Sequence, residues 1–263
     1  MWKPLIGVAA LYARGVAGFM TAPGAGLAST KLPMFGGGGG QGQRVVEVLR
    51  NPKWPDEYPF GPQDFRRQDE SNDAQFYDQP RLVYHIDDGA VNALTNYYAR
   101  AFPKGADVLD ICSSWVSHFP DANAWTPGKR VGLGMNESEL KKNPALDSYN
   151  VQDLNVNSKL PYDDESFDVV TCVVSIDYLT EPLEVMKEAA RVLRPGGKAI
   201  ISFSNRCFPT KAVSIWLNSG DVEHALIIGS FFHFTGLFNK PEAKDINPTG
   251  WGDPMYVVEA TKK

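Results

Sequence analysis

Between about residues 84 and 204 this chain alternates two hydrophobic periods. Ile86, Ala90, Ala93, Leu94, Tyr97 and Ala101 recur at helical spacing, which predicts a helix over 86–101 stopped by Pro103-Lys104-Gly105. The short apolar run ADVLDI, 106–111, reads as a buried strand, and 129–133 as the next. Asn136-Glu137-Ser138-Glu139 has an N-cap residue with Glu three positions on, so a helix starts there, and Pro144 closes it. A third strand is expected over 149–152. FDVVTCVVS, 167–175, is nearly all apolar and β-branched, as a strand buried on both faces should be. Thr180-Glu181-Pro182 opens a helix whose apolar face is Leu183, Met186, Ala190 and Leu193; Pro195-Gly196-Gly197 ends it. KAIISFS, 198–204, and YVVEA, 256–260, complete the strands. Strand and helix at this spacing imply an α/β fold: a doubly wound, Rossmann-like, mostly parallel sheet with helices on both faces. Ligands of such sheets bind outside the carboxyl ends of the strands, so the residues just after each strand carry the chemistry.

The rest of the chain forms an irregular N-terminal extension, giving three expected regions: 1–46, 47–83 and a globular domain over 84–263. Residues 1–46 contain no acid, so all 31 acidic residues lie beyond them. With the run Gly36 to Gly40 they are expected to be a flexible tail or a targeting presequence outside the core. Ala17-Gly18-Phe19-Met20-Thr21-Ala22-Pro23 resembles the Phe-centred cleavage region of plastid presequences, which points to a plastid; the cytoplasm and mitochondrion are the other addresses. Residues 47–83 mix prolines 52, 55, 59, 62 and 80 with Trp54, Tyr58, Phe60, Phe76 and Tyr77, an ordered lead-in expected to lie across the domain.

A net charge of −5 argues against a broad nucleic-acid-binding surface. No run of 18 apolar residues occurs, so no membrane span is expected. Cys112, Cys172 and Cys207 form no C-x-x-C pair, hence neither a disulfide framework nor a cysteine metal site; no metal is expected. The apolar stretch 225–238, ALIIGSFFHFTGLF, reads as a buried helix and its cap, with an acceptor pocket or partner surface as the lesser reading.

The order VLDICSS, VGLGMNESEL, VQDLN with LPYDDESFDVV, then EAARVLRPGGKAIISFS resembles a class I S-adenosylmethionine-dependent methyltransferase of the small-molecule type. The resemblance implies S-adenosylmethionine as cofactor and a small, apolar acceptor. It places Asp110 beside the methionine part, Asp153 on the adenine amino group, Leu154 against the adenine, and Ser175 at the cofactor and the substrate entrance. Phe167 and Asp168 match structural positions at the start of the fourth strand.

Two departures from the family pattern stand out. Its first loop is normally glycine-rich; here it is Cys112-Ser113-Ser114-Trp115, with Ser113 and Ser114 as candidates to bond the methionine end. The acid that normally grips the ribose falls at Gly134. Asn136 is the nearby candidate for a ribose hydroxyl, or a helix N-cap, or both. Trp115 turned outward into the packing of the first helix leaves the cofactor seat open; turned inward it fills the seat. The outward position is expected, because a filled seat would strand Asp110. SSWVSHFP, GLGMNESEL and SNRCFPTKA also resemble a methyltransferase-like subgroup of photosynthetic organisms, in which the unusual loop is normal.

The other candidates face the acceptor: His118 as a general base or a structural histidine, and Tyr178, Asn205 and Arg206 as substrate contacts. Two readings of different class remain: a methyltransferase, and a catalytically inactive methyltransferase-like subunit of a larger organellar complex. A nicotinamide dehydrogenase is excluded by the absent glycine fingerprint.

Overall fold

A computed structural model describes residues 40–249 and 252–263. In chain order the elements are α1 (Gln41–Val48), α2 (Asp73–Phe76), α3 (Asp88–Ala101), β1 (Val108–Ile111), β2 (Arg130–Gly134), α4 (Glu137–Leu140), β3 (Ser148–Val151), β4 (Phe167–Val173), α5 (Pro182–Val192), β5 (Leu193–Phe203), α6 (Ser214–Leu217), α7 (Asp221–Thr235), β6 (Glu242–Asp245) and β7 (Tyr256–Thr261). One seven-stranded sheet runs in the order β3-β2-β1-β4-β5-β7-β6. The first five strands are parallel, and β7 enters antiparallel between β5 and β6. The chain thus starts in mid-sheet at β1, winds outward to β3, then restarts at β4 on the other side. The switch point lies between β1 and β4, and the crevice above it is where a ligand belongs.

The central strands β1, β4 and β5 form because their residues are apolar on both faces, whereas the edge strand β3 is largely exposed. Leu109, Ile111, Val170, Cys172 and Ile201 are fully buried. One departure comes from the glycine pair after α5. α5 stops at Val192, so Pro195-Gly196-Gly197 does not cap it but lies within β5. There it shifts the register: Phe167 pairs with Leu193, while Val169 pairs with Lys198. The expected 225–238 helix is α7, apolar all round and buried, with Gly236 as its left-handed cap at φ 70°.

The boundary at residue 46 does not hold. Residues 1–39 of the expected tail lie outside the described residues, but Gln41–Val48 is a helix belonging to the core. Val45, Val48 and Leu49 are buried on the α7 side of the sheet, because the VVEVL run gives one apolar face. Helix α1 therefore belongs with the domain rather than with the tail.

The lead-in is tied down along its length. Trp54 stacks on His233 of α7 at 5.1 Å, and Tyr58 meets Phe234 edge-on at 5.5 Å. Arg67 bridges to Val213 in backbone pairing. Beyond it, Asp73 is buried between two cations: Arg67 at 2.7 Å and the fully buried Lys211 at 3.0 Å. Lys211 also donates to the carbonyls of Asp69 and Ser71. At the far end, Asp87 caps α3 by accepting from Ala90 and exchanges hydrogen bonds with Asp253.

Docking of α1 has a measurable consequence. Leu49→Ala removes a side chain that is 1% exposed and should lower stability to urea by about 2–4 kcal/mol. A loss below about 0.5 kcal/mol, the ordinary surface value, would show that the segment is not part of the core.

Candidate cofactor and acceptor site

A cavity of about 260 Å³ opens at the carboxyl ends of β1, β2 and β4, above the switch point. Its floor is Asp110, the third residue of β1. The carboxylate is 2% exposed and accepts hydrogen bonds from Ser113 Oγ at 2.7 Å and Thr171 Oγ1 at 2.8 Å. Burial pushes its pKa up to about 6, and the hydroxyls of Ser113, Ser117 and Thr171 restrain the rise.

Two loops reach the cavity through left-handed backbone. Cys112 has φ 54° and Val174 φ 40°, conformations that cost a side chain, above all a β-branched one. Both residues line the cavity. The loop after β1 then crosses the end of β2: Ser113 N donates to the Leu133 carbonyl at 2.8 Å. The crossing is tight. A Cβ on Gly134 would lie 2.0 Å from the Ser113 carbonyl oxygen, so only glycine fits at 134. The loop without glycine and the strand end without an acid are one rearrangement, since Ser113 backbone occupies the space an acidic side chain would need.

Most residues expected from sequence meet here. Asp110, Ser113, Ser114, Asn136, Asp153, Leu154, Ser175, His118, Tyr178 and Arg206 all line the cavity. Asn205 does not. It is exposed, with its side-chain carbonyl facing the Ser204 hydroxyl, because the chain turns away after β5. Several side chains are already committed. Asn136 caps α4 by accepting from Glu139 N at 3.1 Å, while its amide donates to the Tyr77 carbonyl at 2.7 Å. It works as a cap and a clamp on the lead-in, which leaves its amide no donor for a ribose hydroxyl. Ser113 Oγ serves Asp110, Ser175 Oγ serves the Val173 carbonyl at 2.7 Å, and Tyr178 OH accepts from Phe208 N at 2.8 Å. Asp153 accepts from Asn155 N through Oδ1. Arg206 is paired with Asp253 at 2.7 Å.

His118 also has positive φ, 55°. Its Nδ1 is buried and accepts or donates no hydrogen bond to a described residue. Burial, then the neighbouring His85, lower its pKa to about 4. Protonation would bury an unpaired N–H, which argues for a neutral ring and against a general base. Trp115 is turned neither into α3 nor across the floor. Its indole N–H donates to the Val83 carbonyl at 3.1 Å, and its ring lies 5.0 Å from Tyr84. It forms the wall where the lead-in crosses the cavity.

That wall could not be read from the sequence. Tyr77, Arg81 and Val83 of the lead-in line the cavity, as do His85 and Ile86 just beyond it, together with Glu139 and Phe208. The guanidinium of Arg81 sits over Phe76 at 4.4 Å and faces Phe208 at 5.3 Å, while its backbone N donates to Glu139 at 2.6 Å. The aromatic density of 47–83 was the available signal, but nothing local assigned these residues to a site.

A family model described as a methyltransferase domain matches residues 131–201, from β2 to β5. Demethylmenaquinone methyltransferases of Bacillus cereus and Bacillus mycoides are 35% and 30% identical over 156 residues, which is 56% of this chain. The match spans 60% of those relatives' length. Among solved structures, a Pyrococcus horikoshii protein aligns over 72% of this chain and 99% of its own, with TM-score 0.48 and 18% identity. The matched segment thus resembles a methyltransferase domain, and the strand order is that of the Rossmann-like fold of class I S-adenosylmethionine-dependent methyltransferases. The cavity residues fit that cofactor. Leu154, 5% exposed, offers an apolar face beside the Asp153 carboxylate, and Asp110 provides an acidic floor. Among the described residues no metal-binding cluster occurs, and no helix is long and apolar enough to cross a membrane.

Just behind the cavity, Asp177 is 2% exposed and its Oδ2 is unpartnered; burial pushes its pKa up to about 8. The native state therefore keeps this proton to higher pH than the unfolded chain does. Its stabilising contribution is full in acid and is lost as pH rises toward 8. Asp177→Asn does not titrate there, so its stability relative to wild type should rise between pH 4 and pH 8 by more than about 1 kcal/mol. Parallel urea curves at the two pH values would check this; a constant difference would mean that burial does not raise the Asp177 pKa above its value in the unfolded chain.

Proposed function

We propose that this chain transfers a methyl group from S-adenosylmethionine to a small acceptor held against the aromatic wall of the cavity. The observation that carries the reading is convergence: Asp110, Asp153, Leu154 and Ser175, from the ends of β1, β3 and β4, meet around one cavity at the switch point. Bound there, S-adenosylmethionine supplies an electrophilic methyl on a sulfonium. Asp153 and Leu154 hold the adenine end, and the buried Asp110 gives the cationic end an anionic neighbour. Cationic ligand beside this carboxylate favours its charged form, which burial alone disfavours. Tyr77, Trp115, Tyr178 and Phe208 support a flat or apolar acceptor, and their rigid placement aligns it for in-line attack, where most of the rate enhancement of such a reaction can arise. The name of the Bacillus relatives makes demethylmenaquinone the first acceptor to assay.

A second reading keeps the fold without turnover, as a subunit of a larger plastid assembly. The Ser113 carbonyl at Gly134 favours it, because that contact removes the usual ribose acid. Plastid import is supported by the acid-free residues 1–39, and a fluorescent fusion of that segment tests it.

Calorimetry separates the two readings. The wild type should bind S-adenosylmethionine, and Asp153→Ala should weaken binding by about 1–3 kcal/mol, the scale of a lost hydrogen bond to a charged group. Wild type that is folded yet binds neither S-adenosylmethionine nor S-adenosylhomocysteine would leave the non-catalytic reading. Equal affinity in Asp153→Ala would place the adenine elsewhere.

A further inference from the structure

We infer that Glu139 holds the ribose of the cofactor, from α4, in place of a side chain that position 134 cannot carry. This rests on the cofactor reading above and deepens it. A ribose offers two adjacent hydroxyls as donors, and a carboxylate, with two acceptor oxygens, matches them. The group must lie on the β2 side, between the adenine corner at Asp153 and the floor at Asp110.

The other acceptors of the cavity are spent or misplaced. Asp110 has both oxygens engaged, by Ser113 and Thr171. Asp73 is held by Arg67, Lys211 and Asn155. Asn136 accepts from Glu139 N and donates to the lead-in. Gln152 gives its amide to the carbonyls of Asn157 and Lys159. Glu139 remains. It lines the cavity and is 9% exposed. Its Oε1 accepts from Arg81 N at 2.6 Å, and no described residue donates a hydrogen bond to Oε2.

Geometry brings that carboxylate to the right place. α4 returns over the end of β2, so that Leu140 Cδ2 would be 3.3 Å from a Cβ at Gly134. Helical side chains lean toward the N-terminus of their helix, which for α4 is its cap, Asn136, two residues after Gly134. A carboxylate in this first turn therefore leans back toward the end of β2. The commitment of Glu139 is also unusual for its position. Three residues after an N-cap, its carboxylate would ordinarily bond the cap's own N–H. Instead it faces the lead-in and the cavity.

Calorimetry of the full chain with S-adenosylhomocysteine and with its 2′-deoxyribose analogue tests the assignment. Wild type should prefer the first by at least about tenfold. Glu139→Gln keeps a carbonyl for the Arg81 amide, so its melting temperature should stay close to wild type. It should bind S-adenosylhomocysteine about tenfold more weakly and lose most of the preference for the ribose form. Equal wild-type affinity for the two compounds, or a full preference retained in Glu139→Gln, would overturn the inference while leaving the cofactor reading intact. A folded wild type that binds neither compound would overturn both.

Discussion

The buried ion cluster of Asp73 with Arg67 and Lys211 is the constraint on which the site depends. Lys211 has no exposed side-chain surface, and Asp73 almost none. Separately, each charge would be costly to bury; together, and with the Asn155 amide on Asp73, they are compensated. The cluster fixes three things at once. It anchors the lead-in, it holds the loop after β5 through Lys211, and through Asn155 it reaches the turn that carries Asp153 and Leu154. Removing Asp73 would strip the buried Arg67 and Lys211 of their shared anion, a loss on the order of 3–5 kcal/mol. The cavity corner of Asp153 and Leu154 and the wall formed by the lead-in would then move together, because they share this support.

Against that background the tight contact of Ser113 with Gly134 is a coordinated change. A loop lacking glycine must place Cys112 in left-handed backbone, and its path then runs over the end of β2. The strand end gives up its side chain to allow the crossing. Carboxylate is present in the same cavity nonetheless, one helical turn later in the chain.

How much of this was legible in the sequence follows from the range of each interaction. The strands β1 and β4 and the last half of β5 were readable because burial on both faces leaves an unbroken apolar run, as in FDVVTCVVS. That Asp110, Asp153 and Leu154 line the cavity was readable because they lie at or just past strand ends, and a strand end fixes position relative to the sheet. α1 was not, since its apolar face spans only two turns and its partner α7 lies almost the whole chain away. β6 was not, since EAKD carries no strand pattern and is ordered by pairing with β7. Glu139 looked like half of a capping box. Only the arrival of Arg81, 58 residues earlier in the chain, turns its carboxylate to the cavity. Tyr77 and His85 were likewise unassignable, since a lead-in without periodicity takes its path from the ion cluster.

The stretch from Asp73 to Asp87 crosses the cavity with both ends pinned, one by ions and one by the reciprocal bonds to Asp253. It is an arch rather than a flap. A flap opens about one hinge at little cost, whereas an arch widens its span only by bowing. Bowing here breaks the contacts that Trp115 and Glu139 make with its middle. On the proposed function, entry and exit of an acceptor would share one gate of fixed footing, and traffic through such a gate can pace turnover as effectively as the chemistry behind it.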